Sequence, residues 1–242
     1  MKKRITGLGE PVGTVATIER STNGKHAQNG DSKVVRVLST EVDIRRATFT
    51  IVGTSSLIMN RWTPKAIEMM EAKQQGLAAS SKREKRNPDK EVRERCYVSK
   101  GKPMEDSAEY GIPALWVKCA IINAAKRTKK QIPSTDAMAA IYIPPAKNCI
   151  DKADGTPLIP LESPSKPRMV RDMVRNQSGV ADMRYRPYFD EWSVTFVVEF
   201  NCNILTEEQI ANLLQIAGWA VGLGEWRREK SGDHGMFKLA NT

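Results

Sequence analysis

The chain has 242 residues, of which 40% are hydrophobic and 27% are charged. A chain of this length and composition can bury a substantial core, which excludes wholesale disorder. Its formal net charge of +10 predicts a polyanionic partner, with nucleic acid ahead of an acidic membrane surface. The apolar runs are too short to span a bilayer, and no apolar segment follows the basic start. We therefore expect a cytoplasmic protein without a membrane segment.

Cysteine, histidine and acidic residues give no sign of a metal or cofactor site. The four cysteines and two histidines lie far apart and show no CxxC spacing, which predicts reduced thiols and no zinc. The acidic residues form no D-x-D or H-x-x-x-E grouping. We therefore predict no bound metal, no cofactor and no catalytic residue.

The first elements follow a polar N-terminal segment. Residues 1–32 are rich in Gly, Thr, Asn and Ser, which predicts a mobile arm; we expect residues 33–242 to form a single domain. Phe49 and Ile51 share one face of a period-2 pattern, which predicts a core strand over 47–53. Just before a helix begins at Pro64, Arg61 and Trp62 have two interpretations: the two form a base-stacking pair, or Trp62 is a buried core residue.

Two basic segments come next. Residues 76–102 contain nine Lys or Arg and four acidic residues, a composition typical of a solvated, flexible face or of a segment that contacts nucleic acid. Apolar residues at 3–4 spacing predict a helix over 113–129. Lys126, Lys129 and Lys130 lie at its end, where cations favour the helix dipole. Their density exceeds what a helix end requires, so we predict a patch that contacts a nucleic-acid backbone.

The second half is predicted to alternate strands with one more helix. Residues 138–143 resemble a strand ended by two prolines, and Asp154-Gly155 is a hairpin signal. Residues 191–201 show the clearest period-2 pattern in the chain. Thr206 and Gln209 have the spacing of a capping box, which predicts a helix over 206–220. A last short strand is predicted over 235–239.

The order of these elements is strand, helix, strand, strand, helix, strand. This βαββαβ order predicts an α+β protein with a ferredoxin-like, RRM-like core. Two insertions, at about 54–112 and 144–190, interrupt it. One face of such a sheet stays open, and related sheets stack bases on that face.

The stretch GLGEWRREKSGDHGMFKL, residues 222–239, stands out between the last helix and the last strand. Glycine allows backbone N–H groups to come close to a ligand. Exposed N–H groups beside guanidinium and ammonium groups are typical of a phosphate cradle. The alternative is a long basic turn between a helix and a strand. The stretch is neither a Walker loop nor a dinucleotide-binding fingerprint.

This stretch, together with residues 53–57 and the order of elements, resembles the RAMP superfamily, the RRM-like proteins of CRISPR effector complexes. The superfamily carries a glycine-rich loop between its second helix and its last strand, with a pattern close to G-x-G…R…G-x-x-G-x-aromatic. The residues that fill this pattern here are Gly222, Gly224, Arg227, Gly232, Gly235 and Phe237. The chain also resembles a family of temperate-phage proteins that share the NRW, DMRYRP and GEWR stretches, which implies a bacterial host cell.

The resemblance implies that the loop contacts a nucleic-acid backbone and that the open sheet face carries the strand. It also implies that the insertion at 144–190 corresponds to the thumb of the CRISPR backbone subunits, which assemble head to tail along RNA. The N-terminal arm and the run at 76–102 have no counterpart in that family. Trp226, Glu225 and Glu229 are departures within the loop.

Our leading hypothesis is a non-catalytic protein that binds single-stranded RNA or DNA and forms a homo-oligomer or filament along it. The residues predicted to contact the strand combine cations for phosphates with aromatic rings for bases. They are Arg61, Trp62, Lys126, Lys129, Lys130, Arg168, Arg171, Tyr185, Arg186, Gly224, Trp226, Arg227, Arg228, Lys230, Gly232 and His234.

Two alternatives remain open at this point. The first is a metal-independent RNase of the CRISPR RNA-processing type, in which His234 would serve as general acid or base. The second is a phage structural or host-interacting protein whose basic surface meets an acidic protein.

Overall fold

The computed structural model describes residues 41–77, 85–129, 131–175, 179 and 181–240. The predicted N-terminal arm and Lys130 lie outside these residues. Within them, no helix is both long and apolar enough to span a membrane. The described part of the chain is an α+β structure with antiparallel sheets.

Ten strands and five helices make up this structure. The strands are β1 (Ile44–Gly53), β2 (Leu57–Ile58), β3 (Val98–Lys100), β4 (Glu109–Pro113), β5 (Ile141–Tyr142), β6 (Leu158–Leu161), β7 (Arg168–Arg175), β8 (Ala181–Phe189), β9 (Ser193–Asn201) and β10 (Phe237–Leu239). The helices are α1 (Pro64–Gln74), α2 (Pro88–Glu94), α3 (Ala114–Ala125), α4 (Ser134–Ala140) and α5 (Glu207–Ala220).

The largest sheet has four antiparallel strands in the order β10-β1-β9-β5. Its register follows from side-chain alternation, because neighbouring residues of a strand point to opposite faces. Phe49 of β1 is paired with Phe196 of β9, and Ile51 is paired with Val194. All four side chains are buried, so this face of the sheet is the core face.

Helices α3 and α5 pack against each other and cover the core face. Val117, Ile121 and Ala124 of α3 and Leu213 and Leu214 of α5 all belong to the same buried cluster. Helix α5 begins with the predicted capping box, in which the side chains of Thr206 and Gln209 each accept a hydrogen bond from the backbone N–H of the other. The capping-box prediction is confirmed.

The other face of this sheet is open among the described residues and carries Thr48, Thr50 and Thr195 at its centre and the Arg46–Glu199 ion pair towards one end. Thr50 and Thr195 are paired across β1 and β9, and their hydroxyl oxygens lie 2.9 Å apart. Neither β1 nor β9 places an aromatic side chain on this face; Tyr142, on the edge strand β5, is the exposed ring there. The open face therefore lacks the central aromatic platform on which RRM-type sheets stack bases.

The two insertions contribute two further sheets, with the strand orders β2-β8-β7 and β3-β4-β6. Strands β7 and β8 form a long hairpin in which Arg168 pairs with Tyr188 and Arg175 pairs with Ala181. A second, shorter reversal occurs at the predicted Asp154-Gly155 turn, where Ile150 and Pro157 form a bridge. The predicted turn is confirmed.

The predicted strand over 138–143 is wrong in its first half. Residues 138–140 belong to helix α4, whose Ala137 and Ala140 are buried, and only Ile141 and Tyr142 pair with β9. A short continuous run of apolar residues fits a helix as well as a strand, and the preceding Pro133-Ser134 favours the start of a helix. Helix α3 is also shorter than predicted and ends at Ala125.

A substitution pair on β1 tests which face of the sheet carries stability. We expect Ile51→Ala to reduce the free energy of unfolding by about 2–5 kcal/mol, since Ile51 is fully buried and the change leaves a cavity. Thr48→Ala, on the open face of the same strand, is expected to cost less than about 1 kcal/mol. Chemical denaturation measures both values, and similar costs would contradict the assignment of the core face.

Candidate nucleic-acid interface

The glycine-rich loop, residues 222–235, owes its glycines to close contacts between backbone segments. A Cβ atom at Gly235 would lie 1.8 Å from the carbonyl oxygen of Leu223, and Gly235 has a φ of +65°. A Cβ atom at Gly232 would lie 1.9 Å from the carbonyl oxygen of Trp226. These positions admit no side chain, because neither obstacle is the end of a flexible side chain.

Nine of the fourteen backbone N–H groups in the loop donate inside the protein, so these nine are not part of the phosphate cradle that the sequence predicts. They donate to carbonyl groups of the loop or of its neighbours. Gly222 donates to Ala217, Leu223 to Gly235, Glu225 to Ile58, Glu229 to Val221, Lys230 to Arg227, Ser231 to Arg228, Gly232 to Arg227, His234 to Trp226 and Gly235 to Ser56. An N–H group already bonded inside the protein is not free for a phosphate.

The three cations of the loop are in different situations. Arg227 donates to the Glu229 carboxylate and, at 3.1 Å, to the carbonyl oxygen of Gly224. The Arg228 guanidinium lies over the ring of Trp219 at 4.2 Å. Lys230 is exposed. Arg227 therefore braces the loop, and Arg228 and Lys230 lie at its surface.

Arg186 is fully buried behind the loop and ties it to the β7–β8 hairpin. Its Nη1 donates to the Asp172 carboxylate at 3.2 Å, and the same carboxylate accepts a hydrogen bond from the Tyr188 hydroxyl. The guanidinium lies over the ring of Trp226 at 5.2 Å, and its Nη2 is 3.6 Å from Glu225. Arg186 is thus placed in the interior and has no exposed surface of its own.

Burial and the neighbouring Asp172 carboxylate raise the pKa of Tyr188 well above its ordinary value. The Tyr188 hydroxyl therefore remains protonated and acts as a donor to Asp172. His234 packs its ring against Tyr188 and near Trp226, and its Nδ1 is buried with no hydrogen-bond partner among the described residues.

Arg61 and Trp62, adjacent in sequence, have opposite environments. Arg61 is buried and pairs with Asp151 at 3.4 Å, so it does not form a surface pair with its neighbour. Trp62 is 63% exposed, which shows that the buried-core interpretation of Trp62 is wrong.

Several cations of the basic run at 76–102 form ion pairs in the described part. Arg86 pairs with Glu91 and Asp182, and Arg95 pairs with Glu91. Burial acts to raise the pKa of Glu91, but the hydrogen bonds from Arg86 and Arg95 outweigh it, so the pKa lies below its ordinary value. Helix α2 and strand β3 lie within this run, which is not a wholly flexible face.

The β7–β8 hairpin exposes a face of mixed cations and apolar side chains. Met169, Arg171 and Met173 alternate along β7 and are exposed. Tyr185 lies directly across from Arg171. Arg168 pairs with Asp190 and covers the ring of Tyr188. Arg171 and Tyr185 are thus brought together on the outer face, whereas Arg168 is occupied by an intramolecular pair.

A cleft of about 300 Å³ lies between α3 and the glycine-rich loop; we call it the α3–loop cleft. Its lining includes the rings of Trp62, Tyr97 and Trp116, the side chain of Leu115, and Arg227. Tyr97 and Trp116 meet edge to face with their centroids 5.7 Å apart. Aromatic rings beside a guanidinium are the surface on which single-stranded bases stack.

Cations lie at one end of this cleft. Asn123 lines the cleft and accepts a hydrogen bond from Lys126 at 2.8 Å. Lys126, Arg127 and Lys129 follow within six residues and are exposed. In the described part of the chain, none of these three forms an ion pair, so their charge remains available to an external phosphate.

A second cleft, of about 740 Å³, is larger but has the wrong charge for a polyanion. Its lining carries four carboxylates and two lysines: Glu105, Asp106, Glu109, Glu162, Lys147 and Lys166. Like charges repel a phosphate backbone. The α3–loop cleft is therefore the candidate interface.

Sequence reasoning missed much of this cleft. Tyr97, Leu115, Trp116 and Asn123 were not among the predicted site residues, although the spacing of positions 115, 119, 123 and 126 places them along one face of a helix. That spacing, which leads directly to Lys126, was the available signal.

No protein-family model matches the chain, and no curated protein matches it. Among solved structures, it is similar to a chain in the cryo-EM structure of the Type III-B Cmr-beta complex bound to cognate target RNA. The two sequences are 9% identical, and the TM-score is 0.37. The match covers 80% of this chain and 59% of that one. A likeness of this size does not establish a common ligand.

Two glycines with nearly the same φ test the packing of the loop. Gly235 and Gly155 have φ values of +65° and +76°, but nothing lies within 4 Å of a Cβ atom built at Gly155. Both alanine substitutions pay a backbone cost of about 1–2 kcal/mol. Only Gly235→Ala must also displace the Leu223 carbonyl, so we expect it to lower the melting temperature much further. Equal shifts in thermal unfolding would contradict the close packing.

The lowered pKa of Glu91 predicts a pH dependence. A carboxylate whose folded-state pKa is depressed stabilises the protein above its unfolded pKa of about 4.3, and this contribution is lost as the pH falls. We expect the stability difference between wild type and Glu91→Gln to shrink from about pH 6 to about pH 3. Denaturant titrations at several pH values measure it. Glu105→Gln, at an exposed site, is the control; a pH-independent difference for Glu91→Gln would contradict the pairing.

Proposed function

We propose that the protein binds single-stranded nucleic acid without catalysing a reaction on it, and that the strand lies in the α3–loop cleft. The observation that carries the proposal is the exposure of Trp62 (63%) at the wall of a cleft that also contains two further aromatic rings and Arg227. The contact between a large apolar ring and water is unfavourable, and stacking of the ring on a nucleobase removes that contact.

The distribution of charge supports the same surface. Ion pairs occupy Arg61, Arg86, Arg95, Arg168 and Arg186, which leaves Lys126, Arg127 and Lys129 as an unpaired group beside the cleft. Phosphate contacts supply the affinity of such an interface, and stacked bases add to it with little regard to sequence.

A ferredoxin-like core is part of this proposal. The four-stranded sheet orders its strands as β10-β1-β9-β5, with α3 between β1 and β5 in sequence and α5 between β9 and β10. Two interleaved βαβ units produce this arrangement. The core places α3 and the glycine-rich loop side by side, which forms the cleft. Head-to-tail assembly along the strand stays a prediction of the RAMP resemblance.

The charge contribution is tested with two double variants that remove equal charge. We expect Lys126→Ala/Lys129→Ala to weaken binding of a fluorescent 20-nucleotide strand and to reduce the slope of log K against log[salt] by about 1.4, the value for two lost phosphate contacts. Lys100→Ala/Lys166→Ala removes two cations near the acidic cleft and should leave the slope unchanged. Equal effects would show that only net charge matters.

The stacking contribution is tested with two tryptophans of equal exposure. Trp62 and Trp219 are 63% and 64% exposed, but only Trp62 lines the cleft. We expect Trp62→Ala to lose about 1–3 kcal/mol of binding free energy, in fluorescence-anisotropy titrations with RNA and DNA, and Trp219→Ala to lose much less. If wild type binds neither strand at low salt, the proposed function is wrong.

A further inference from the structure

The lining of the α3–loop cleft contains one acidic group beside three aromatic rings and one guanidinium. Of the described residues that line it, Glu225 alone carries a carboxylate. A carboxylate repels phosphate, so Glu225 is not a phosphate contact. It offsets part of the charge of buried Arg186, and its remaining acceptor capacity is open to a ligand. The polar neighbours that share the lining with it are Asn60 and Asn123.

Glu225 is held from behind by three contacts. Its backbone N–H donates to the Ile58 carbonyl at 3.0 Å, and its Oε2 accepts a hydrogen bond from the Asn60 amide at 3.2 Å. Its Oε1 lies 3.6 Å from Nη2 of the fully buried Arg186. Nη2 makes no hydrogen bond within the described residues, so the guanidinium acts on this carboxylate through its charge. These contacts fix the carboxylate in place without using its full capacity.

The Glu225 carboxylate still has free hydrogen-bond acceptor sites, and it is partly exposed to solvent in the cleft. Its side chain is 35% exposed, and a carboxylate offers about four lone-pair sites, all of them acceptors. A ligand group bound there must therefore donate hydrogen bonds. Phosphates, ribose ring oxygens and carbonyl edges cannot do this, whereas ribose hydroxyls and the amino and imino groups of nucleobases can.

We infer that the α3–loop cleft takes one unstacked guanine whose N1–H and N2–H groups donate to the Glu225 carboxylate. This inference rests on the proposed function. Guanine is the nucleobase with two adjacent donors on its Watson–Crick edge, which matches the two oxygens of a carboxylate. Trp62, Tyr97 and Trp116 supply faces for the ring, and a volume of about 300 Å³ suits a single nucleoside and excludes a duplex.

The test uses the wild-type chain and uridine-only strands that carry one central guanosine, inosine or adenosine. Inosine keeps N1–H and lacks the 2-amino group, and adenosine lacks N1–H. We expect the guanosine strand to bind about tenfold more tightly than the adenosine strand, with inosine in between. Equal affinities for the three strands would overturn the inference and leave the proposed function intact, whereas no binding by any strand would overturn both.

Two loop variants test whether Glu225 is the residue that causes the preference for guanosine over adenosine. Glu225→Gln removes the charge and turns one oxygen into a donor, so we expect the ratio of guanosine to adenosine affinity to fall to about one while the uridine-only strand still binds. Asp233→Asn removes the same charge from the same loop at a side chain that is 88% exposed, and the ratio should persist. A ratio that persists in Glu225→Gln overturns the assignment; if this variant does not fold, the inosine series decides.

Discussion

The glycine-rich loop depends on a buried ion pair between Arg186 and Asp172 on the β7–β8 hairpin. A guanidinium with no exposed surface is tolerable only where carboxylates and hydrogen bonds offset its lost hydration. Asp172 provides the direct bond, Glu225 adds a second charge at 3.6 Å, and the ring of Trp226 covers the guanidinium face. Because two of these three partners belong to the loop, moving the loop away would leave a buried charge poorly compensated. The conformation of one wall of the α3–loop cleft is therefore set by the hairpin.

Elements that have local sequence signals could be predicted from the sequence. Features that depend on contacts between residues distant in sequence could not. The alternation over 191–201 and the capping box at Thr206 identified β9 and α5, because period and cap are written in adjacent residues. The last three residues of helix α4 were mistaken for part of a strand, since the six-residue apolar segment 138–143 carries too little periodicity to separate a helix from a strand. The burial of Arg61 and Arg186 had no local signal. Each lies beside an aromatic or apolar residue, as a surface arginine also does, and its partner is distant in sequence.

The candidate nucleic-acid interface was also hard to predict, because it depends on which charged residues pair with each other in the folded chain. A net charge of +10 predicted a polyanionic partner, but charge in a sequence does not show which cations are already neutralised. Ion pairs with Glu91 make Arg86 and Arg95 unavailable to an external phosphate. Hydrogen bonding to Glu229 occupies Arg227 in part. Of the exposed cations that remain, those after α3 lie at the same cleft as exposed Trp62, whereas Arg171 lies on the β7–β8 hairpin and Lys230 on the glycine-rich loop. The open sheet face, which the RAMP resemblance implied as the platform, presents threonines at its centre and a single ring, Tyr142, on its edge strand.

Photo-crosslinking tests most directly whether the strand lies in the α3–loop cleft. A single-stranded RNA containing 4-thiouridine is bound to the full chain, irradiated and digested, and the modified peptides are identified by mass spectrometry. Our account predicts adducts at Trp62, Tyr97 or Trp116, whose rings line the cleft. Adducts confined to Tyr142 on the open sheet face, with none in the cleft, would contradict it.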